Sequence, residues 1–345
     1  MEGGGSNIHE LRWNPFLGQW VIIAGHRGRR PWRPEERERG FRCPFCPGSP
    51  ETERFGDSWD VIVLPNKFPA LKPDAPEVAG GGDLFRRGRA LGLCEVVVET
   101  PEHEGDLHTL GLEHMAKVVR VFADEYRRLG SLPYVKYVAE FRNKGKEIGV
   151  SLTHPHSQIY AMPFIPPRIE AELKNFKRFF EEHGECLLCA VLREELRDGE
   201  RVVYSNRHFV VVLPFFAMWP YELHVYPRRH VQSLDRLSDD EVLHLADALR
   251  VVTATYSRLF DRDLPYIMAV HQAPTDGGDY GYYHLHVEFY QPYREQDKMK
   301  YAAGIEWGFG TFTYDGVPEE KAEELRAACR RAVEGLDAVL GSCGY

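Results

Sequence analysis

Residues 153–163, THPHSQIYAMP, and residues 284–292, HLHVEFYQP, read as one device used twice. Each sets two histidines at a spacing of two on a stretch of strand-forming residues, so both imidazoles leave the same side of an extended chain. Each follows a glycine-containing loop, NKGKEIG at 143–149 and TDGGDYG at 275–281, and each loop follows a strand-like run, Val135 to Phe141 and Tyr266 to Val270. Further upstream, apolar residues recurring at three and four predict amphipathic helices over Leu110 to Leu129 and Asp239 to Leu259. A histidine precedes each helix, in ETPEH at 103 and YPRRH at 230, and a C-x-x-C pair precedes each histidine, Cys43/Cys46 and Cys186/Cys189. From the second cysteine to the first histidine is 57 residues in one half and 41 in the other, and from there to the H-x-H is 51 and 54. The chain is therefore read as an internal duplication.

Short β-branched runs at Trp20 to Ala24, Val61 to Leu64 and Glu95 to Glu99 in the first half match Val202 to Tyr204, Phe209 to Leu213 and Leu223 to Tyr226 in the second. Several short strands with a single long helix predict α+β halves, each a mostly antiparallel sheet packed with helices, and not a parallel doubly wound sheet. The expected domains are 1–170 and 171–345, with the boundary in a helix at 168–185.

The 345 residues are 43% hydrophobic and 28% charged with a net charge of -9, which excludes a disordered or fibrous chain and argues against general affinity for nucleic acid or an anionic membrane. No apolar run reaches the roughly 18 residues of a membrane helix, and the opening MEGGGSNIHE has no signal-peptide pattern, so a cytoplasmic enzyme is expected. Seven cysteines without a signal peptide make a disulfide framework unexpected, and Cys94, Cys329 and Cys343 stand alone.

Cys43-Pro-Phe-Cys46 lies among proline and glycine, which suits a zinc knuckle better than a redox pair at a helix start. Tetrahedral closure needs two more ligands, and the repeat nominates His103 and His154. The same reasoning nominates Cys186, Cys189, His230 and His284 for a second zinc. With His154 on a metal, His156 faces a substrate, and Gln158 lies two residues on along the same face. Asn143 and Ser151 sit in the loop before it. A neutral imidazole is a competent phosphoryl acceptor, and a main-chain carbonyl bound to its other nitrogen would fix the tautomer.

These residues resemble the galactose-1-phosphate uridylyltransferase family of the histidine-triad superfamily. The resemblance runs through RWNPFLGQWVIIAGHRGRRPW (12–32), CPFC, PNKFPAL (65–71), ETPEH, NKG, HPHSQ, HQAP, LHVEFYQP and KYAAGIE (300–306). It implies two tandem histidine-triad-like domains and a ping-pong reaction. His156 would attack the α-phosphorus of UDP-glucose, release glucose 1-phosphate, and pass the uridylyl group to galactose 1-phosphate. Gln158 and Ser157, by hydroxyl or amide, would bind phosphoryl oxygens. Arg27, Arg30 and Asn143 match phosphate contacts, and Asn66 with Phe68 match the nucleoside pocket. Lys300 and Glu306 match a segment that reaches the sugar phosphate across a homodimer interface, making the active site composite. Ser157 stands where the best-known members have Gly, and HPHSQ occurs also in sister enzymes that phosphorolyse ADP-glucose, the runner-up activity. Members without the second C-x-x-C carry another metal site, iron being an option, of one Glu and three His. Glu172, His271 and His286 occupy those positions here, with Glu288 in place of the last His.

Overall fold

The computed structural model describes residues 8–29, 43–56, 58–150 and 152–345. The first half contains β1 (His9–Asn14), β2 (Gln19–Ala24), β3 (Ile62–Pro65), β4 (Arg87–Arg89), β5 (Leu93–Val98), α1 (Leu112–Gly130), β6 (Tyr137–Lys144) and β7 (His156–Met162). Helices α2 (Pro167–His183) and α3 (Leu187–Asp198) lead into the second half. That half holds β8 (Val202–Asn206), β9 (Phe209–Val212), β10 (Leu223–Pro227), α4 (Asp239–Leu259), β11 (Tyr266–His271) and β12 (His286–Tyr290). The chain closes with β13 (Tyr293–Glu295), β14 (Lys298–Met299), α5 (Gly304–Phe309), α6 (Pro318–Val333) and β15 (Gly341–Cys343).

Ten strands form one sheet in the order β15-β8-β9-β10-β12-β11-β6-β7-β5-β3. Neighbours are antiparallel throughout, as the α+β reading expects. The halves meet edge to edge where β6 pairs with β11, Glu140 opposite Val270 and Lys144 opposite Tyr266. They share one sheet, and α2 carries the chain from one repeat to the next.

Strand alternation sorts the side chains onto two faces. On one, Val97, Ile159, Val211, Val225 and Val287 pack with α1, α4 and α6 into the main core. On the other, α2 and α3 bring Leu173, Phe176, Leu188 and Leu192 against Val210, Val212 and Tyr226. Helix α4 follows Ser238, whose hydroxyl accepts from the Glu241 amide while the Glu241 carboxylate accepts from the Ser238 amide, a reciprocal cap that sets where the helix starts. Among the described residues no helix is long and apolar enough to cross a membrane.

Cys329 and Cys343 do not stand alone as the sequence reading expected. They form a disulfide that ties α6 to β15, the edge strand of the sheet, with Cα atoms 5.9 Å apart. Helix α6 brings Cys329 to full burial against the strand that carries Cys343, a proximity with no local sequence signal. Closing a loop of 14 residues is worth about 3 kcal/mol in the chain-entropy account. Urea denaturation with and without reductant should differ by about that amount, and Cys343→Ser should abolish the difference.

Candidate functional site

Strand β7 opens with His156 paired to Val98 of β5, and Gln158 lies opposite Val96 on one side and Phe141 of β6 on the other. His156, Gln158 and Tyr160 therefore share one face. The His156 Nδ1 donates to the main-chain oxygen of His154 at 2.8 Å, which puts the ring's lone pair on Nε2. The expected tautomer lock is present.

The same face is furnished from four segments. The Phe45 ring lies tilted 5.2 Å from that of His156, above an apolar group of Ile62, Leu64, Val96 and Val98. Arg27 Nη1 donates to the Tyr160 hydroxyl at 2.9 Å. Asn143, two residues past Phe141 on β6, lies on this face at the His156 end. Gly145 just beyond it has φ +96°, and a Cβ there would sit 2.5 Å from the Pro265 side chain, so only glycine lets the loop turn here. Asn66 follows β3, its amide donating to the Cys94 oxygen and its side chain accepting from the Phe68 amide at 2.9 Å. The structure thus brings Arg27, Asn66, Phe68, Asn143, Gln158 and His156 to one end of the sheet. Arg30 and Ser151 lie outside the described residues.

Ser157 points the other way. It is fully buried, and its hydroxyl donates to Glu99 Oε1 at 2.5 Å on the core side of the sheet. Alternation requires this, since neighbours on a strand face opposite sides, so its hydroxyl is committed away from the face where His156 sits. Glu99 is in turn held by Arg142 Nε at 3.0 Å, and Arg142 Nη1 lies 3.1 Å from Asp106 Oδ1. Burial pushes the Glu99 carboxyl up, with Arg142 and Ser157 acting against it. This buried network backs strand β7 and was not foreseen. Its one sequence signal was a glutamate closing EVVVE at an inward position.

Both cysteine–histidine sets assemble. Cys46 Sγ lies 3.3 Å from His103 Nδ1, and both Cys43 and Cys46 lie 3.6 Å from His154 Nδ1. In the second set, Cys186 and Cys189 lie 3.6 and 3.5 Å from His284 Nδ1, and Cys189 lies 3.7 Å from His230 Nδ1. Tetrahedral zinc, with bonds of about 2.3 Å to sulfur and 2.0 Å to nitrogen, separates the two by about 3.5 Å, so the donors fit it. His154, His230 and His284 each give Nε2 to a main-chain oxygen, of Thr100, Gly281 and Arg229, which aims Nδ1 at the sulfurs. Hydrogen bonds from Cys186, His230 and His284 lower the Cys189 thiol, while the shared hydrogen bond to Cys189 and burial raise that of Cys186.

Glu172, His271, His286 and Glu288 form a third cluster, sharing no residue with the other two. His271 Nδ1 is 3.0 Å from Glu172 Oε1, and His286 Nε2 is 3.5 Å from Glu288 Oε1. Although burial opposes it, the imidazoles of His271, His224 and His286 keep the Glu288 carboxyl well below its usual range. Lys300 and Glu306 lie with second-half residues. Lys300 Nζ donates to the oxygens of Met218, at 2.8 Å, and Thr313, and Glu306 accepts from the Ala303 amide and the Thr313 hydroxyl.

Comparison with known proteins places this geometry. The N-terminal domain model of galactose-1-phosphate uridyl transferase matches residues 6–166 and its C-terminal domain model residues 172–334. A galactose-1-phosphate uridylyltransferase of Thermotoga maritima is 41% identical, covering 92% of this chain and 98% of that protein. One from Haemophilus influenzae is 33% identical, covering 92% and 93%. A solved uridylyltransferase structure superposes with TM-score 0.84 at 42% identity, covering 93% of this chain and 99% of its own. An ADP-glucose phosphorylase of Arabidopsis thaliana, at 24% identity and TM-score 0.71, shares the fold over 92% and 98%.

The Glu99 network sets a stability expectation. Glu99→Ala should cost about 3–5 kcal/mol, since it strips a buried guanidinium of a partner. Ser157→Ala should cost about 1.5–3 kcal/mol for one hydrogen bond to a buried carboxylate. Denaturant midpoints of the two variants, both measured with bound metal retained, check the order.

Proposed function

The chain belongs to the galactose-1-phosphate uridyl transferase family, and on that premise we propose that it transfers uridylyl groups between UDP-glucose and galactose 1-phosphate through a covalent intermediate on His156. The observation that carries the reading is the His156 ring, fixed by the His154 oxygen with its lone pair on Nε2. In the first half-reaction Nε2 forms a bond to the α-phosphorus and the bond to the glucose 1-phosphate oxygen breaks. The imidazole gains positive charge as it is uridylylated, and the Nδ1–H to carbonyl bond strengthens with that charge. In the second, a phosphate oxygen of galactose 1-phosphate attacks the phosphorus and His156 leaves neutral, so no external base is needed. Gln158, on the same face, is assigned to the phosphoryl oxygens, where charge accumulates in the transition state. Ser157, with its hydroxyl turned to Glu99 and its main chain paired with Val97, is not assigned that role. Arg27 and Asn143 are assigned to phosphate, and Asn66 with Phe68 to the nucleoside.

Zinc is assigned to both cysteine–histidine sets, where it supplies structural cross-linking. Those sets hold the Cys43–Cys46 turn, and with it Phe45, over the nucleophile strand in one half, and tie α3 to the sheet in the other. The two-glutamate, two-histidine cluster has harder donors, and iron suits it better than the thiolate sites. We assign domains 1–170 and 171–345 to the two repeats.

A homodimer completes the reading. Lys300 and Glu306 contact the second half, while Tyr301, Trp307 and Phe309 on the same segment are 73%, 82% and 80% exposed. That surface suits burial against a second copy, whose His156 site the segment would complete.

His156→Gly should abolish transfer while leaving the fold and metal content unchanged. Wild type mixed with labelled UDP-glucose alone should retain acid-labile, base-stable label, and active enzyme that traps none would show direct transfer. An assay that pairs UDP-glucose, UDP-galactose or ADP-glucose with galactose 1-phosphate or phosphate decides the base and acceptor. Metal analysis should find zinc at both thiolate sites, and Cys43→Ser should lose one and destabilise the first half by several kcal/mol. Lys300→Ala and His156→Gly, each inactive alone, should regain partial activity when reassembled together.

A further inference from the structure

The described residues contain a fourth group of converging donors, sharing no residue with the three sets above. His208, Asp240 and His244 each offer one ligand atom, and these atoms lie within 4.8 Å of one another. Asp240 and His244 are one turn apart on the first turns of α4, and so lie on one face of the helix. His208 comes from the two-residue turn between β8 and β9.

The turn is held against the helix at this point. The buried Asn206 side chain accepts from the amides of His208 and Phe209 at 3.1 and 2.8 Å, and donates to the main-chain oxygen of His244 at 2.8 Å and to Asp247 Oδ2 at 2.8 Å. One amide thus sets both the turn that carries His208 and its distance from His244. The two imidazoles meet edge to face at 90°, with centroids 4.7 Å apart. Asp240 Oδ2 is 2.6 Å from His208 Nε2. The His244 Nδ1 donates to the main-chain oxygen of Asp240 at 2.8 Å, which places its lone pair on Nε2, by the same kind of main-chain lock seen in the cysteine–histidine sets.

We propose that His208, Asp240 and His244 form a further divalent-cation site, a two-histidine, one-carboxylate clip that fastens the β8–β9 hairpin to the start of α4. Three nitrogen and oxygen donors select borderline cations such as zinc, cobalt(II) or nickel(II), with water filling the remaining positions. Opposing the cation are Arg207, whose Nη1 is 3.4 Å from Asp240 Oδ2, and the positive end of the α4 dipole. The site therefore binds more weakly than the thiolate sites and fills after them.

Cobalt(II) titration of the purified, metal-loaded protein tests this, because thiolate sites give intense sulfur-to-cobalt charge-transfer bands and this one gives none. One equivalent should bind beyond the metal already present, without new charge-transfer absorption, and should raise the thermal midpoint. His208→Gln and Asp240→Asn, both at accessible positions, should each lose that equivalent and the shift while uridylyl transfer stays at wild-type level. His244→Gln should do the same if it folds. Absence of any added equivalent overturns the site, as does an equivalent that survives in both His208→Gln and Asp240→Asn or disappears in Glu172→Gln.

Discussion

An imidazole can serve as a phosphoryl carrier only if its reactive nitrogen bears the lone pair in the neutral ring and is aimed, and here one main-chain oxygen selects that tautomer and sets the direction of the ring. The His154 carbonyl accepts from His156 Nδ1, and His154 itself is immobile, fully buried with Nε2 on the Thr100 oxygen and Nδ1 beside two sulfurs. His154 of the donor set lies two residues before His156, with which β7 opens. Rigidity made at the first is delivered to the second through a single peptide unit. The remainder of the first half supports this: β5 and β6 flank the strand, and the Glu99–Arg142–Asp106 network anchors its inner face.

The duplication was legible because its chemistry lies in rare residue types at comparable spacings. Two C-x-x-C pairs, two H-x-H motifs and the single histidines of ETPEH and YPRRH were enough to assemble both four-ligand sets from the letters alone, and the structure brings each set together. The strands and long helices were legible for a simpler reason, since β-branched runs of four to six and a 3.6-residue apolar period leave few alternatives. Helix α4 falls where its period placed it, Asp239 to Leu259.

What stayed hidden depends on which face a side chain takes or on contacts between distant elements. Ser157 adjoins His156 in sequence, and adjacency suggested a shared task, yet strand geometry sends the two hydrogen-bonding groups to opposite sides of the sheet. The Cys329–Cys343 bond joins a helix to the last strand, and neither cysteine has a neighbour that marks it. Glu172 with His271, His286 and Glu288 was accessible only through family resemblance, because its members come from α2, β11 and β12 and no local spacing links them.

The second half shows what the same device does when its surroundings change. His286 Nδ1 donates to the His284 oxygen at 3.0 Å, the counterpart of the His156 lock, and His284 stands beside its own pair of sulfurs. Yet His286 is buried, its Nε2 faces the carboxylates of Glu288 and Glu172, and Phe176 of α2 stacks over its ring. Burial would lower its proton affinity, but the Glu288 and Glu172 carboxylates overcome that and raise it. The same backbone lock is therefore set beside an ionic cluster in the second half and on the sheet face of Gln158 in the first. The difference lies in the surroundings: His156 shares its face with Gln158 and Tyr160, whereas His286 Nε2 meets the carboxylates of Glu288 and of Glu172 on α2.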